Sequence, residues 1–225
     1  MNALAQDGSV PWVCPRCRGP LRRMSEAFDC TACAGEYPLV AGIPDFRVSP
    51  GARRKIDEER ARVRRWQEWS EELTAEELVE RLFASRPGWS PDAARKRVTT
   101  VLAGRDRLSR ELRGWLRPCL PGDGAGPVLD LGCGAGQLLV ALARAGHRPV
   151  GLDLSLELLI VARALVRSEG ARPILAAGEA ERLPLPDHCL SSVISLDVIE
   201  HVDDPTPCLE EIGRVLRPDG ALALT

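Results

Sequence analysis

Downstream of residue 127 the chain alternates short apolar runs with longer amphipathic ones. Val-Leu-Asp-Leu at 128–131 reads as a buried strand, 136–145 as a helix and 149–153 as a second strand. Ser155 stands where an N-cap belongs for a helix running to about residue 168. Residues 173–176 and 191–196 read as further strands. Asp204-Pro205 opens a helix through 216, and Pro218-Asp219-Gly220 turns the chain into a last strand at 221–225. This alternation implies a parallel sheet with right-handed crossovers.

Upstream, residues 51–120 are rich in Arg and Glu and read as helical. Thr74-Ala75-Glu76-Glu77 is a capping-box pattern, after which Leu78, Val79, Leu82 and Phe83 share one helical face. Ser90-Pro91-Asp92 reads as a cap with proline in the first turn. A helix near 93–116 then carries Val98, Val101, Leu102, Leu108, Leu112 and Trp115. This region is either a helical linker with solvated charges or a roof over a substrate pocket. Residues 121–127, Pro-Gly-Asp-Gly-Ala-Gly-Pro, read as a flexible stop. The chain divides into 1–50, 51–120 and 121–225.

Composition narrows the class. With 225 residues, 44% of them hydrophobic, the chain can build one sizeable core plus a small module. Aromatics are only 4%, so that core is expected to be aliphatic. Thirty basic against 32 acidic residues give a net charge of −2, which argues against a generally basic nucleic-acid coat. No apolar run approaches the ~20 residues of a membrane span. Residues 1–10 lack the basic start and apolar stretch of a secretory signal. A soluble, cytoplasmic protein is expected.

Four of the eight cysteines come as pairs, Cys14-Pro15-Arg16-Cys17 and Cys30-Thr31-Ala32-Cys33. Cys119, Cys133, Cys189 and Cys208 are scattered singly. Two such knuckles can place four thiolates around one Zn²⁺ at tetrahedral geometry. Gly19 and Gly35 follow the pairs, where tight turns need freedom. The module has few large apolar residues, so metal binding would supply its folding free energy. The alternatives are a redox dithiol or incidental cysteines. The stretches Val13-Cys14-Pro15-Arg16-Cys17-Arg18-Gly19-Pro20-Leu21, Cys30 to Cys33 and Tyr37-Pro38-Leu39-Val40-Ala41-Gly42-Ile43-Pro44-Asp45 resemble the zinc-ribbon proteins that activate methyltransferases. Ala41 stands where that family usually carries an acidic residue. The resemblance implies a structural zinc on Cys14, Cys17, Cys30 and Cys33, and a possible protein partner for the ribbon. On this reading Cys17→Ser unfolds the ribbon and spares cofactor binding further along the chain.

The first strand of the sheet runs into Asp130-Leu131-Gly132-Cys133-Gly134-Ala135-Gly136. The glycines let the backbone approach a ligand and turn into the helix. The spacing is GxGxG, whereas a dinucleotide fingerprint is GxGxxG. Asp153 ends the second strand, where a carboxylate can accept both hydroxyls of a ribose. Glu179-Ala180-Glu181-Arg182-Leu183-Pro184 follows the third, where a side chain and backbone can meet an adenine edge. All three lie at the carboxyl ends of strands, where ligands of open α/β sheets bind. With Ile212-Gly213-Arg214-Val215-Leu216-Arg217-Pro218-Asp219-Gly220, these motifs make residues 127–225 resemble class I S-adenosylmethionine-dependent methyltransferases.

That resemblance implies an α/β, Rossmann-like parallel sheet of order 3-2-1-4-5. The family's sheet normally carries two further strands, so the methyltransferase domain is expected to be C-terminally incomplete, either because the chain is a fragment or because the fold is naturally short. Gly132, Gly134 and Gly136 would line the methionine moiety, with Asp130 ordering the loop. Asp153 would bind the ribose, Glu179 and the Ala180 backbone would face the adenine, and Leu196 would lie under the methionine part. Two departures stand out: Glu179 fills a place usually held by Asp, and Ser191 replaces the usual Asp at the start of the fourth strand. S-adenosylmethionine binding, and no NAD binding, is expected.

Methyl transfer from a sulfonium is an in-line displacement, in which the protein mainly aligns donor and acceptor. Asp197-Val198-Ile199-Glu200-His201 follows the fourth strand. In a helical turn, Asp197, Glu200 and His201 share a face. The segment resembles the equivalent motif of ubiquinone-pathway and small-RNA O-methyltransferases, which implies a general base or a Mg²⁺ site. Alternatively His201 packs or caps and Glu200 is solvated. The leading expectation is methyl transfer to a small-molecule acceptor, through oxygen. A second is an RNA- or protein-modifying enzyme docked by the ribbon, with Arg16, Arg18, Arg22 and Arg23 suited to phosphate. A third is a non-catalytic scaffold.

Overall fold

A computed structural model describes residues 11–49, 53–86, 88–122 and 126–225, with side chains from 56 onward in the second stretch. Residues 1–10, and 123–125 of the glycine-rich stop, lie outside the described residues.

The N-terminal module is an antiparallel sheet of β1 (Leu21–Arg23), β2 (Ala27–Cys30), β3 (Glu36–Val40) and β4 (Ile43–Pro44), paired in that order. Its core is small: Cys14, Phe28, Cys30, Tyr37 and Phe46, closed by Ala176 of the larger unit. Phe46 is the hub, with the rings of Trp12, Phe28 and Tyr37 tilted around it at 5.4–5.8 Å.

Three helices follow: α1 (Arg53–Glu72), α2 (Ala75–Ala84) and α3 (Pro91–Arg113). Both expected caps are present. Thr74 and Glu77 satisfy each other's backbone N–H groups, and the Ser90 side chain accepts from Ala93 N with Pro91 in the first turn. The helices do not hang as a solvated linker. Val63, Trp66, Leu78, Val79, Leu82, Phe83, Ala94 and Val101 join one buried cluster with Leu139, Val140, Leu156, Leu159 and Ile160 of the sheet unit.

The sheet unit runs β5 (Val128–Leu131), α4 (Gln137–Arg144), β6 (Pro149–Asp153), α5 (Leu156–Ser168), β7 (Ile174–Ala177), β8 (Leu190–Ser195), α6 (Pro205–Val215) and β9 (Leu216–Leu224). All five strands are parallel, in the order β7-β6-β5-β8-β9, which is the expected 3-2-1-4-5. β5 is buried throughout and β6 up to Asp153, because helices cover both faces. α4 and α5 lie on one face. Cys208, Ile212 and Val215 of α6 pack on the other against Leu129, Leu131, Val150 and Val193. One element differs from expectation. β9 begins at Leu216 rather than after a turn, and its register jumps from Leu190↔Leu216 to Ser192↔Ala221. Pro218, lacking an N–H, and its neighbours bulge out of the ladder instead of ending it.

The small module is docked onto the large one. Asp45 bridges Ala177 in parallel and Phe46 N donates to Ala177 O at 2.8 Å, so the chain leaving β4 extends the sheet beyond β7. Val13 N donates to Pro184 O, and the Arg18 guanidinium pairs with buried Glu211 of α6 at 3.0 Å.

Candidate functional site

In the cysteine module the sulfurs of Cys14, Cys17, Cys30 and Cys33 lie within 4.8 Å of one another, the one such cluster of potential ligands among the described residues. Cys14 and Cys33 are 3.6 Å apart, and Cys17 and Cys30 3.5 Å. Four thiolates about 2.3 Å from one Zn²⁺ would stand roughly 3.8 Å apart, so the donor set fits that ion. Each knuckle closes the same way: Arg18 N donates to Cys14 O and Ala34 N to Cys30 O, and Ala32 N and Cys33 N point at Cys30 Sγ. The left-handed residues are Arg18 (φ 58°) and Ala34 (φ 53°), not the glycines after them. Gly19 and Gly35 are required for space instead. A Cβ on Gly19 would stand 2.7 Å from Ala32 Cβ, and one on Gly35 2.9 Å from the Tyr37 hydroxyl. That hydroxyl lies 3.0 Å from Cys14 Sγ. Burial works to raise the Cys14 thiol, but the hydrogen bonds from Tyr37 and the backbone of Cys17 and Arg16 outweigh it and bring the thiol to about 6.

The second site lies at the carboxyl ends of β5, β6 and β7. Gly132 N and Cys133 N both donate to Leu152 O, which folds the glycine loop against β6. The three glycines differ in what surrounds them. A Cβ on Gly132 (φ 76°) would collide with Val198 Cγ2, and one on Gly136 (φ 85°) would stand 2.8–2.9 Å from Ala162 of α5. A Cβ on Gly134 (φ 52°) would meet nothing closer than Gly132 O at 4.0 Å, so this face of the loop is open. Asp153 Oδ2 accepts from Gly134 N and Oδ1 from Ser155 N, each at 2.8 Å. Burial holds the Asp153 carboxyl above its ordinary value, against the pull of those N–H donors. Asp130 is buried, and its Oδ2 has no partner. Burial, then the charge of Asp153, pushes its carboxyl well up. A carboxylate oxygen left without a donor beside an open backbone loop suits a ligand that brings a cation or an amino group.

Glu179, after β7, is also buried, and its Oε1 accepts from Val48 N at 3.1 Å and Ser49 N at 2.8 Å. Ala180 is half-buried and packs toward the α6 face. Leu196 packs with Leu116, Val128 and Ala223 on the α3 side of the sheet. Ser191 receives Arg217 Nη1 at 3.1 Å where an aspartate was expected.

After β8 the expected helical turn does not form. Asp197 is left-handed (φ 57°), its N–H donates to Thr225 Oγ1, and only 199–201 make a short 3-10 turn. Asp197, Glu200 and His201 are all exposed and do not gather as a group of metal-binding atoms. The left-handed residue breaks the helical spacing, so the face that a helical turn would give these three side chains is not formed. Of the arginines considered for phosphate contact, Arg18 pairs with Glu211, Arg22 with Asp29, and Arg23 lies over the Phe28 ring.

Sequence reasoning missed the residues bordering this site from outside the sheet. Asp45 is fully buried and holds Arg47 and Arg60. Arg47 also reaches Glu59 and donates to Leu154 O at 2.7 Å. Glu59 Oε1 accepts from Leu156 N at 2.9 Å. A signal existed: Ile56, Glu59, Val63 and Trp66 occupy one buried stripe of α1, and a carboxylate there needs a partner.

Residues 129–224 match the family profile described as a methyltransferase domain. An uncharacterized methyltransferase of Mycobacterium bovis is 36% identical over 121 residues, covering 54% of this chain and 46% of that protein. A ubiquinone biosynthesis O-methyltransferase of Azorhizobium caulinodans is 34% identical over 98 residues, covering 44% and 39%. The crystal structure of a Pyrococcus horikoshii protein superposes with a TM-score of 0.46 at 28% identity, covering 59% of this chain and 54% of that one. The chain spans 30–46% of the length of the curated relatives it matches. No helix among the described residues is long and apolar enough to cross a membrane.

Proposed function

From the premise that residues 129–224 form a class I S-adenosylmethionine-dependent methyltransferase domain, we propose that the protein methylates a small molecule, at an oxygen. The observation that carries the reading is the buried, unpartnered Asp130 Oδ2, which feels the charge of Asp153, whose own Oδ2 accepts from Gly134 N in the open glycine loop. These acids surround the place for a cationic sulfonium ligand. S-adenosylmethionine, when bound, supplies the activated methyl group. Asp153, with its oxygens at the end of β6, accepts from the ribose hydroxyls. Glu179 accepts from the adenine amino group through Oε2, since its hydrogen bonds among the described residues fall on Oε1. Gly134 keeps the loop free of a side chain where the amino-acid end must approach. The oxygen assignment draws support from the ubiquinone O-methyltransferases among the relatives.

His201, exposed beyond β8, takes the proton of the acceptor hydroxyl. The four thiolates hold a structural zinc, with no open position for substrate. The test is a transfer screen with methyl-labelled S-adenosylmethionine across phenols, sugars, lipids and RNA. Label is expected in a small hydroxylated acceptor. Label in RNA alone would replace the reading with a nucleic-acid-modifying one. With an acceptor in hand, His201→Ala is expected to cut turnover at least ~10-fold with cofactor affinity unchanged; wild-type turnover would make His201 a bystander.

A further inference from the structure

The adenosine end of the cofactor site is held from outside the sheet unit, by the chain that leaves the cysteine module. The five residues from Asp45 to Ser49 make these links, one of them through Glu59 of α1. Val48 N and Ser49 N clamp Glu179 Oε1 and leave Oε2 without a hydrogen bond among the described residues. Arg47, itself fixed by Asp45, donates to Leu154 O and pairs with Glu59, and Glu59 accepts from Leu156 N. Leu154 and Leu156 flank the turn that follows Asp153 and starts α5. The adenine-facing carboxylate and the turn after the ribose-facing carboxylate are thus tied to one five-residue segment. That segment is anchored at its start by Phe46, the hub of the cysteine module's core, and by the Asp45–Ala177 bridge.

We propose that Asp45–Ser49 is a positioning element of the cofactor site, so that the metal-bearing module sets the affinity for the adenosine half of the cofactor. The inference rests on the cofactor reading above. The alternative, that the segment competes with adenine for Glu179, is disfavoured because it engages one carboxylate oxygen and leaves the other available. The proposal stands against the expectation from sequence that losing the ribbon spares cofactor binding. A rigid pre-set carboxylate binds better than a free one because its ordering cost is met before the ligand arrives.

The experiment is calorimetric titration of S-adenosylhomocysteine into the whole zinc-loaded chain. Ser49→Pro removes one N–H at an exposed position and is expected to weaken binding at least fivefold, while Ser49→Ala, which keeps the N–H, stays within twofold of wild type. In a Glu179→Gln background Ser49→Pro is expected to add less than twofold, because the two act through one contact. Stripping the metal is expected to weaken binding at least tenfold, with recovery on adding zinc. Hydrogen exchange on the wild-type protein gives an independent reading that needs no variant to fold: residues 45–49 gain protection on adding S-adenosylhomocysteine, together with 153–156 and 179–183. Affinity within twofold in Ser49→Pro, independent multiplication of the Ser49 and Glu179 effects, or unchanged exchange at 45–49 would overturn the proposal. Silence of the wild-type protein itself would instead overturn the cofactor reading, and the proposal with it.

Discussion

The cysteine module and the parallel sheet reach stability by opposite routes. The sheet unit buries Leu129, Leu131, Val150, Leu152, Val193 and their neighbours between two helical layers, so its fold is carried by aliphatic area. The module gathers a handful of aromatic rings and places two of its four cysteines at the surface. Its strands are two to five residues long. A core that small does not offset the entropy of ordering the chain, and the zinc proposed for the four converging sulfurs would supply the missing free energy. The difference teaches where functional precision resides. The sheet unit carries its own aliphatic core; the proposed zinc would be the module's main source of stability.

Removing the metal is the sharpest way to break this contrast. Zinc binding by four thiolates is worth on the order of 10–16 kcal/mol near neutral pH. Chelation, or Cys17→Ser, is therefore expected to unfold residues 11–49 while the far-UV helix signal of the sheet unit persists. Loss of both units together would show that the module has no separate stability route.

The glycine loop gives the next largest effect and sharpens the local side of the contrast. Gly136→Ala drives a Cβ into the backbone of Ala162 at 2.9 Å, at a positive φ. It is expected to cost about 2 kcal/mol or more, seen as a lower urea midpoint. Gly134→Ala meets open space, so it is expected to cost only about 1 kcal/mol in stability yet to abolish cofactor affinity. Equal stability losses in the two variants would refute their division into a packing and a ligand-facing glycine.

A smaller effect concerns the buried acids. In Asp130 the folded-state pKa lies above the unfolded one, so the native protein binds the extra proton. Its contribution is fully present below the ordinary carboxylate range near ~3.9 and is lost as pH rises toward the raised value. Asp45 has the opposite sign. Burial alone would raise it, but Arg47 and Arg60 hold it low, so its contribution is present above the ordinary range and lost as pH falls through its depressed value. Asp130→Asn is expected to stabilise the ligand-free protein by about 1 kcal/mol at pH 7 while weakening cofactor binding. Asp45→Asn is expected to destabilise it. Thermal melts at pH 7 check both signs, and a destabilised Asp130→Asn would mean that this acid is structurally paired.

Much of the sheet unit was legible because its signals are local. Asp130, the glycines, Ser155 and the short apolar runs each fix a strand end, a turn or a cap within a few residues. The cluster of Cys14, Cys17, Cys30 and Cys33 was legible for the same reason, since each pair lies within one turn. What escaped was long-range. Glu59 reads as one more acid in an Arg/Glu-rich helix until its stripe is traced, and its partner Arg47 comes from another unit. Gly19 and Gly35 were read as turn formers, yet neighbouring side chains rather than backbone angle require them. The turn after β8 failed because a single left-handed residue, Asp197, shifts the phase of the following side chains, and no sequence periodicity records that.

The central claim is that the loop between β5 and α4, with Asp153, is an S-adenosylmethionine site. The most direct measurement is titration calorimetry of S-adenosylhomocysteine and of NAD against the wild-type chain and Asp153→Ala. The account predicts one S-adenosylhomocysteine per wild-type chain, no NAD binding, and an affinity lowered by about 1–3 kcal/mol in Asp153→Ala. Binding of NAD in place of S-adenosylhomocysteine, or an Asp153→Ala variant with undiminished affinity, would contradict it.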